Sequence, residues 1–376
     1  MNAPTQNARP RVLEVLYSFA FGGSEIVGLQ LAKELAASGV EVLCAAIDNA
    51  PGPLQEKCAE YGIRTVDLNI PSNIFERNGI SVGVTRRLRN LRLDAIHVHH
   101  FLGLNRLGLP ARLAGIKRVV VTEHSVLDVS QSLAGRVRAR ISWRLASAIT
   151  VIHQSIKDYL CEELGMHRDR LTVIPIGLEL DEYTRRDRAA CRAALGYGSQ
   201  LTFVFVGRLA PVKNVPGLIA AFLAVQSAQS PDSRLIVVGD GQERGACQDL
   251  ISSHDFGYRV NLIGARINPQ PYLAAADVFV LNSRSEGTPR ALLEAMATGL
   301  PGICPAVGGI PDLLDGRGWL TAPGDPSSLQ ASIEFVLQHP EKVLEFSEPC
   351  RQYVKSNFDS KRITERYREL LVGRPW

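Results

Sequence analysis

The run SRSEGTPRALLEAMATGLPGICPAVGGIPDLL, residues 283–314, holds two glutamates with seven residues between them, Glu286 and Glu294. Glu286 closes a strand–loop segment. Pro289 suits the first turn of a helix. Ala291, Leu292, Ala295 and Met296 recur at helical spacing, so one face of that helix packs on a sheet. Glu294 lies among these apolar neighbours, where an unpaired carboxylate is costly, and the hydroxyls of a ribose would satisfy it. An arginine or lysine partner is the plain structural alternative. The backbone amides of Gly287, Thr288 and Arg290 fall at the helix N-terminus, a favoured place for phosphate.

A second constellation is VGRLAPVKN, residues 206–214. Arg208 follows an apolar strand, and Lys213 stands five residues on, before a helix. Two cations at a strand's carboxyl end can clamp a diphosphate, although either alone reads as a surface charge. VVGDGQER places Gly239 and Gly241 at a third strand end, a turn that would hold its loop over a nucleotide. LIGAR places Ala265 and Arg266 at a fourth, near a base.

The first half of the chain offers less. After the strand ending at Tyr17 comes SFAFGGSEIVGLQLAKEL, where Gly22 and Gly23 permit a tight turn and Ser24 or Glu25 opens a helix. Such a turn exposes amides to an anion, but GxGxxG is missing, which argues against a dinucleotide dehydrogenase. His97, His99, His100 and His124 cluster at strand ends. Their alternation along a strand and the lack of a carboxylate partner set argue against a metal site. His124, at a strand's carboxyl end, is the best placed for a substrate.

The elements that must position these residues are apolar runs separated by segments of helical period. VLEVLY, VEVLCAAI, AIHVHH, RVVVTEH, AITVIH and LTVIP form one series, and LTFVFVG, RLIVVGDG, RVNLIG and DVFVLNS a second. Continuous apolar strands alternating with helices imply parallel sheets covered on both faces. Two series in 376 residues imply two Rossmann-like α/β domains. The expected division is 1–178 and 179–355. Residues 356–376 form a charged helix with no strand after it, for which the first domain is one docking place.

Composition narrows the class. Apolar residues make up 45% and charged residues 21%, as in a globular protein. Seven scattered cysteines form no CxxC pair, so reduced thiols and a cytoplasmic setting are expected. The N-terminus lacks the apolar core of a secretory signal, and no run reaches membrane-spanning length. Residues 81–150 hold twelve Lys/Arg against three Asp/Glu. Arg86, Arg87, Arg89 and Arg92, then Arg136, Arg138, Arg140 and Arg144, read as solvated helix faces or as an attraction to an anionic membrane or acceptor. No motif for nucleic acid accompanies them.

Together GGSE, the strand ending at His124, VIPIG, VGRLAPVKN, VGDG and EGTPRALLEAMATGLP with VGGIPDLL resemble the family-four retaining glycosyltransferases of the GT-B class. The resemblance runs from Gly22 to Gly318. It implies two Rossmann-like domains facing a cleft, 1–178 on the acceptor side and 179–355 binding the nucleotide sugar, and a retaining, hexose-type transfer. The sugar would pass from a nucleotide diphosphate donor to a saccharide or lipid-linked acceptor, in polysaccharide or glycoconjugate synthesis, at or near the inner membrane face. It implies that Arg208 and Lys213 bind the diphosphate and Glu294 the ribose. Glu286 would contact the donor sugar, with Gly287 and Thr288 amides beside it. Gly23 would approach the diphosphate and His124 the transferred sugar. It implies neither cofactor nor metal. Pro175-Ile176-Gly177-Leu178-Glu179 departs from the usual Pro-Asn-Gly-Val-Asp, and Cys304 and Pro305 replace commoner small residues. A sugar-nucleotide epimerase and a non-catalytic nucleotide-sugar binder are the alternatives. The first would need further acid/base carboxylates in the first domain, and intact Arg208, Lys213, Glu286 and Glu294 argue against the second.

Overall fold

Apolar runs with no polar face become central strands of two parallel sheets in the computed structural model of the chain. It describes residues 9–48, 50–70, 81–125, 139–183, 187–229, 232–266 and 268–373. Arg136 and Arg138 lie outside them. The chain forms two units, Met1–Gly177 with Ser360–Trp376, and Leu178–Asp359.

The first unit's strands are β1 (Arg11–Leu16), β2 (Glu41–Ala46), β3 (Arg64–Thr65), β4 (Ala95–His99), β5 (Arg118–Glu123), β6 (Ala148–Val151) and β7 (Leu171–Val173). Their order is β3-β2-β1-β4-β5-β6-β7, all parallel. The direction of winding reverses between β1 and β4, and in such sheets ligands bind outside the carboxyl ends at that reversal. The terminal helix Ser360–Val372 belongs to this unit and buries Ile363, Tyr367 and Leu371 in its core. Gly177 is pressed against it, for a Cβ there would lie 2.8 Å from the Ser360 Cα.

The second unit's strands are β8 (Leu201–Val206), β9 (Ser233–Val238), β10 (Val260–Gly264), β11 (Val278–Val280), β12 (Gly302–Pro305) and β13 (Gly318–Thr321). The order is β10-β9-β8-β11-β12-β13, again parallel, with the reversal between β8 and β11. Phe203, Phe205, Phe222 and Phe279 fill its interior. Asp277 pins the helix Arg188–Ala194 to the sheet by accepting from Arg188 at 2.6 Å and from Arg192, and from the amide of Thr202 at 2.8 Å.

Candidate functional site

In the second unit four loops leave the carboxyl ends of neighbouring strands, and backbone hydrogen bonds tie three of them together. Leu209 N donates to Asp240 O at 2.8 Å, Glu243 N to Leu209 O at 3.0 Å, and Arg284 N to Val212 O at 2.7 Å. Gly239 and Gly241 are required by that contact. Both have positive φ, 153° and 154°, and a Cβ at Gly239 would lie 1.8 Å from the Gly207 carbonyl oxygen. Their turn is therefore the seam between the β8 and β9 loops. Beside it, Gly239 N donates to Gly264 O at 3.0 Å, which brings Ala265 and Arg266 next to the same edge. Arg266 bonds the Ala265 carbonyl and the Tyr272 hydroxyl.

The loops after β8 and β11 bring Lys213 and Glu286 together. Lys213 Nζ donates to Glu286 Oε1 at 2.5 Å, and the Glu286 side chain is only 8% exposed. Arg208, on the same loop as Lys213, is exposed and has no side-chain partner among the described residues. Gly287 and Thr288 follow Glu286 directly. Gly309 N donates to Gly287 O at 2.8 Å, and Gly308 has φ +54° with no room for a Cβ against the Glu286 carbonyl. The VGG turn thus buttresses the backbone that carries Glu286. Thr288 is buried, and its hydroxyl has no partner although it sits just before the helix Arg290–Thr298. A buried hydroxyl without a partner is costly unless a ligand meets it.

That helix begins at Arg290, so Pro289 stands at its cap and not in its first turn, as the sequence suggested. Glu294 is buried within it. Its Oε1 accepts from Arg290 Nε at 2.8 Å, one turn back, and the Tyr183 hydroxyl also hydrogen-bonds the carboxylate. Burial, and then Glu294, push the Tyr183 hydroxyl's pKa up. Burial alone would lower that of Arg290, but the Glu294 carboxylate and the Tyr183 hydroxyl together more than offset it. Glu294 thus has the arginine partner that the sequence left open as the structural alternative. Tyr183 was not foreseen, since 111 positions separate it from Glu294.

In the first unit the helix Gly23–Ala37 starts one residue before Ser24, with Gly22 at its cap. This corrects the expectation that Ser24 or Glu25 opens it. Glu25 folds back over the turn, accepting from Ser24 Oγ at 2.9 Å, and a Cβ at Gly22 would lie 2.1 Å from its carboxylate.

The histidines are corrected as well. His97 and His99 lie on one face of β4, and Glu14 of β1 is in register with His97. Glu14, His97 and His99 offer ligand atoms within 4.8 Å of one another, so a carboxylate partner is present after all. Those atoms are engaged in hydrogen bonds. His97 Nδ1 contacts Glu14 Oε1 at 3.0 Å and its Nε2 contacts Thr122 Oγ1 at 2.7 Å. His99 Nε2 contacts Glu14 Oε2 at 3.1 Å and its Nδ1 contacts His124 Nε2 at 2.8 Å. Burial alone would raise the Glu14 carboxyl's pKa, but His97 and His99 bring it down to about 2. Burial, with His97 beside it, lowers His99 to about 4. His124 is pushed well below its usual range by burial and then by His100, His99 and His97. Glu14 was legible as a charge inside the apolar run VLEVLY, but its partners were not.

His100 has φ +71°, an unusual conformation for a residue with a side chain. It caps the helix Phe101–Leu113, whose first amide donates to Glu123 Oε2 at 3.0 Å. The other Glu123 oxygen accepts from the amides of His124 and Ser125 at 3.0 and 3.2 Å.

Thus Arg208, Lys213, Glu286, Gly287 and Thr288 converge around the β8/β11 reversal, and Gly239, Gly241, Ala265 and Arg266 lie along the β9/β10 edge. Pro289, Arg290 and Glu294 lie on the helix behind Thr288. Gly22, Gly23 and His124 belong to the other unit.

Residues 189–354 match the family described as Glycosyl transferases group 1, and residues 21–182 match Glycosyltransferase Family 4. The chain belongs to the group 1, family-four glycosyltransferases. Its fold is GT-B. The glycosyltransferase is 26% identical over 366 residues to N-acetyl-alpha-D-glucosaminyl L-malate synthase of Bacillus anthracis, with 93% of each chain covered. It is 27% identical to the UDP-Gal:alpha-D-GlcNAc-diphosphoundecaprenol alpha-1,3-galactosyltransferase of Escherichia coli, covering 77% of this chain and 78% of that one. The crystal structure of Anabaena HepE in complex with UDP superposes with a TM-score of 0.83 at 21% identity, covering 98% of this chain and 100% of the other. HepE has also been solved with UDP-glucose, at a TM-score of 0.80 and 21% identity over 97% of this chain and 100% of that one. The function is sugar transfer from a nucleotide sugar in glycoconjugate biosynthesis, in preference to epimerisation. No helix among the described residues is long and apolar enough to cross a membrane.

Proposed function

We propose that this glycosyltransferase is a retaining hexosyltransferase that binds a UDP-sugar at the strand ends of its second unit and needs no metal. The observation that carries the reading is the Lys213–Glu286 pair at the β8/β11 reversal, beside the unpartnered Thr288 hydroxyl and the start of a helix. A strand-order reversal is where α/β sheets bind nucleotides, and a helix start favours phosphate. UDP and UDP-glucose in the HepE structures, and UDP-Gal in the name of the Escherichia coli relative, favour uridine.

In this reading Arg208 and Lys213 hold the diphosphate, with the amides of Gly287 and Thr288. Glu294 takes the ribose hydroxyls, sharing its carboxylate with Arg290 and Tyr183. The Gly239–Gly241 turn and the Ala265–Arg266 edge flank the base, and Glu286 meets the sugar. By family resemblance, Gly22 and Gly23 approach the diphosphate and His124 the transferred sugar. The bond from the sugar's anomeric carbon to the diphosphate breaks. The acceptor oxygen bonds that carbon on the same face, and its proton passes to the departing diphosphate. Charge grows on that diphosphate, and fixed cations and amides stabilise it without reorganising. The acceptor is a saccharide, free or lipid-linked, and the basic first half of the chain favours an anionic one at an anionic membrane surface.

A thermal-shift screen of nucleotide sugars tests the donor site, because a ligand that binds only the folded state raises its melting temperature. UDP-glucose is expected to raise it, and Glu294→Ala to abolish the rise. No shift with any uridine nucleotide would refute the assignment. Turnover undiminished by EDTA is the expected result for the metal-free step, and a chelator-sensitive rate restored by a divalent cation would refute that part.

A further inference from the structure

We infer that His124 meets its ligand as a hydrogen-bond acceptor, through a bare Nδ1 whose state is set by the buried carboxylate of Glu14 with His99 as the relay. The inference rests on the reading above, in which His124 touches the transferred sugar. It adds Glu14 and His99 as positioning residues.

The hydrogens in this chain of contacts have one consistent arrangement. Glu14 has no exposed surface, and an ionised carboxylate only accepts. Its two oxygens face His97 Nδ1 and His99 Nε2, so both of those nitrogens carry hydrogen. A neutral imidazole has a single N–H, and His99 is neutral at pH 7 because burial and His97 lower it to about 4. Its Nδ1 is therefore bare. That atom lies 2.8 Å from His124 Nε2, and the contact needs one hydrogen, which His124 must supply. His124 is also neutral, pushed down by burial and the neighbouring histidines, so its one proton is on Nε2. Its Nδ1 keeps a lone pair and has no partner among the described residues.

The surroundings hold the rings in this sense. His97 is anchored at its far nitrogen by Thr122, whose hydroxyl contacts Thr150 at 2.6 Å and the Tyr367 hydroxyl at 3.1 Å. His99 is wedged by the helix Gly23–Ala37. A Cβ at Gly28 would lie 2.9 Å from His99 Nε2 and 2.5 Å from Leu16 Cδ2. Rotating the His99 ring to present the other nitrogen would take one of the two donors from the buried Glu14 carboxylate and leave both of its oxygens to His97 Nδ1 alone, at 3.0 and 2.9 Å. The ligand group His124 selects is then a donor, a sugar hydroxyl or N–H, and not a carbonyl or carboxylate.

Long-range proton–nitrogen NMR of the full chain with 15N-labelled histidine tests the tautomer directly, with His124→Gln and His99→Asn assigning the signals. The ring proton is expected on Nε2 of both His99 and His124 at pH 7. A proton on His124 Nδ1, or an imidazolium, overturns the inference, and this arm is independent of any donor. The functional arm compares His99→Asn, whose amide oxygen can stand where Nδ1 stood, with His99→Leu, which offers no acceptor. With UDP-glucose as donor probe, kcat is expected to fall about tenfold in His99→Leu and to stay within about threefold in His99→Asn, with KM little changed, the worth of one hydrogen bond. Equal losses in both overturn the relay. If His99→Leu does not fold, the His124 tautomer in His99→Asn decides: a bare Nδ1 supports the relay and a protonated one overturns it.

Discussion

Lys213 donates to Glu286 at 2.5 Å from a loop 73 residues away, and the two loops follow the strands β8 and β11, where the winding of the second sheet reverses. The pair neutralises a carboxylate that is almost wholly buried and holds an ammonium ready at the place proposed for the diphosphate. Lys213→Ala should lower kcat roughly a hundredfold or more, the ~2.7–4 kcal/mol typical of one preorganised charge-stabilising donor. Steady-state release of UDP from UDP-glucose in the presence of acceptor measures it, and a loss confined to KM would contradict the assignment.

Tyr183 and Arg290 share the Glu294 carboxylate. Tyr183→Phe removes one hydrogen bond from it and leaves the ring in place. A typical net hydrogen bond is worth about 0.5–1.5 kcal/mol, so UDP affinity should weaken by a few-fold. Calorimetric titration with UDP and with 2′,3′-dideoxy-UDP measures it. The variant should discriminate less between the two nucleotides than the parent does.

Acid should destabilise the first unit in two stages. His99 titrates near 6.5 when unfolded and at about 4 when folded, so the unfolded state binds the extra proton and stability falls as pH drops from about 6.5 to 4. Glu14 titrates near 4.5 unfolded and at about 2 folded, so its contribution is present above 4.5 and is lost as pH falls from there to 2. His124, also lowered, acts in the same sense as His99. Urea melts at pH 7.5, 5.5 and 4.5 should show a falling midpoint, and His99→Asn should flatten the upper part of that fall.

Gly239 has no room for a side chain. A methyl there would meet the Gly207 carbonyl oxygen at 1.8 Å while the backbone keeps a positive φ. Gly239→Ala should destabilise the protein by about 1–3 kcal/mol, the usual range for overpacking, and should weaken UDP binding by parting the β8 and β9 loops. Thermal melts with and without UDP separate the two effects. Gly245→Ala, where a Cβ meets nothing within 4 Å, is the matched control.

Much of the architecture is written locally. Runs such as LTFVFV and RLIVVGDG are apolar on both faces, and only a strand between two helix layers satisfies that. The strands β12 and β13 were not legible, because GICP and GWLT are short and open on glycine, with a proline closing the first. Pairing in the sheet overrides that weak local preference. Cys304 and Pro305 lie in β12, where burial raises the Cys304 thiol's pKa, and nothing in the structure explains why those types stand there.

At the site, Glu286, Glu294, Arg208 and Lys213 were marked by their places at strand and helix ends, which the sequence alone determines through periodicity and turn chemistry. Which of them touch was decided only in three dimensions. Lys213 meets Glu286 because β8 and β11 are neighbours, and Glu14 meets His97 and His99 because β1 lies beside β4. A crossover helix fixes those neighbours through packing between residues far apart in the chain. No local pattern carries that information, whereas the burial of each strand's faces is imprinted on the residues of the strand itself.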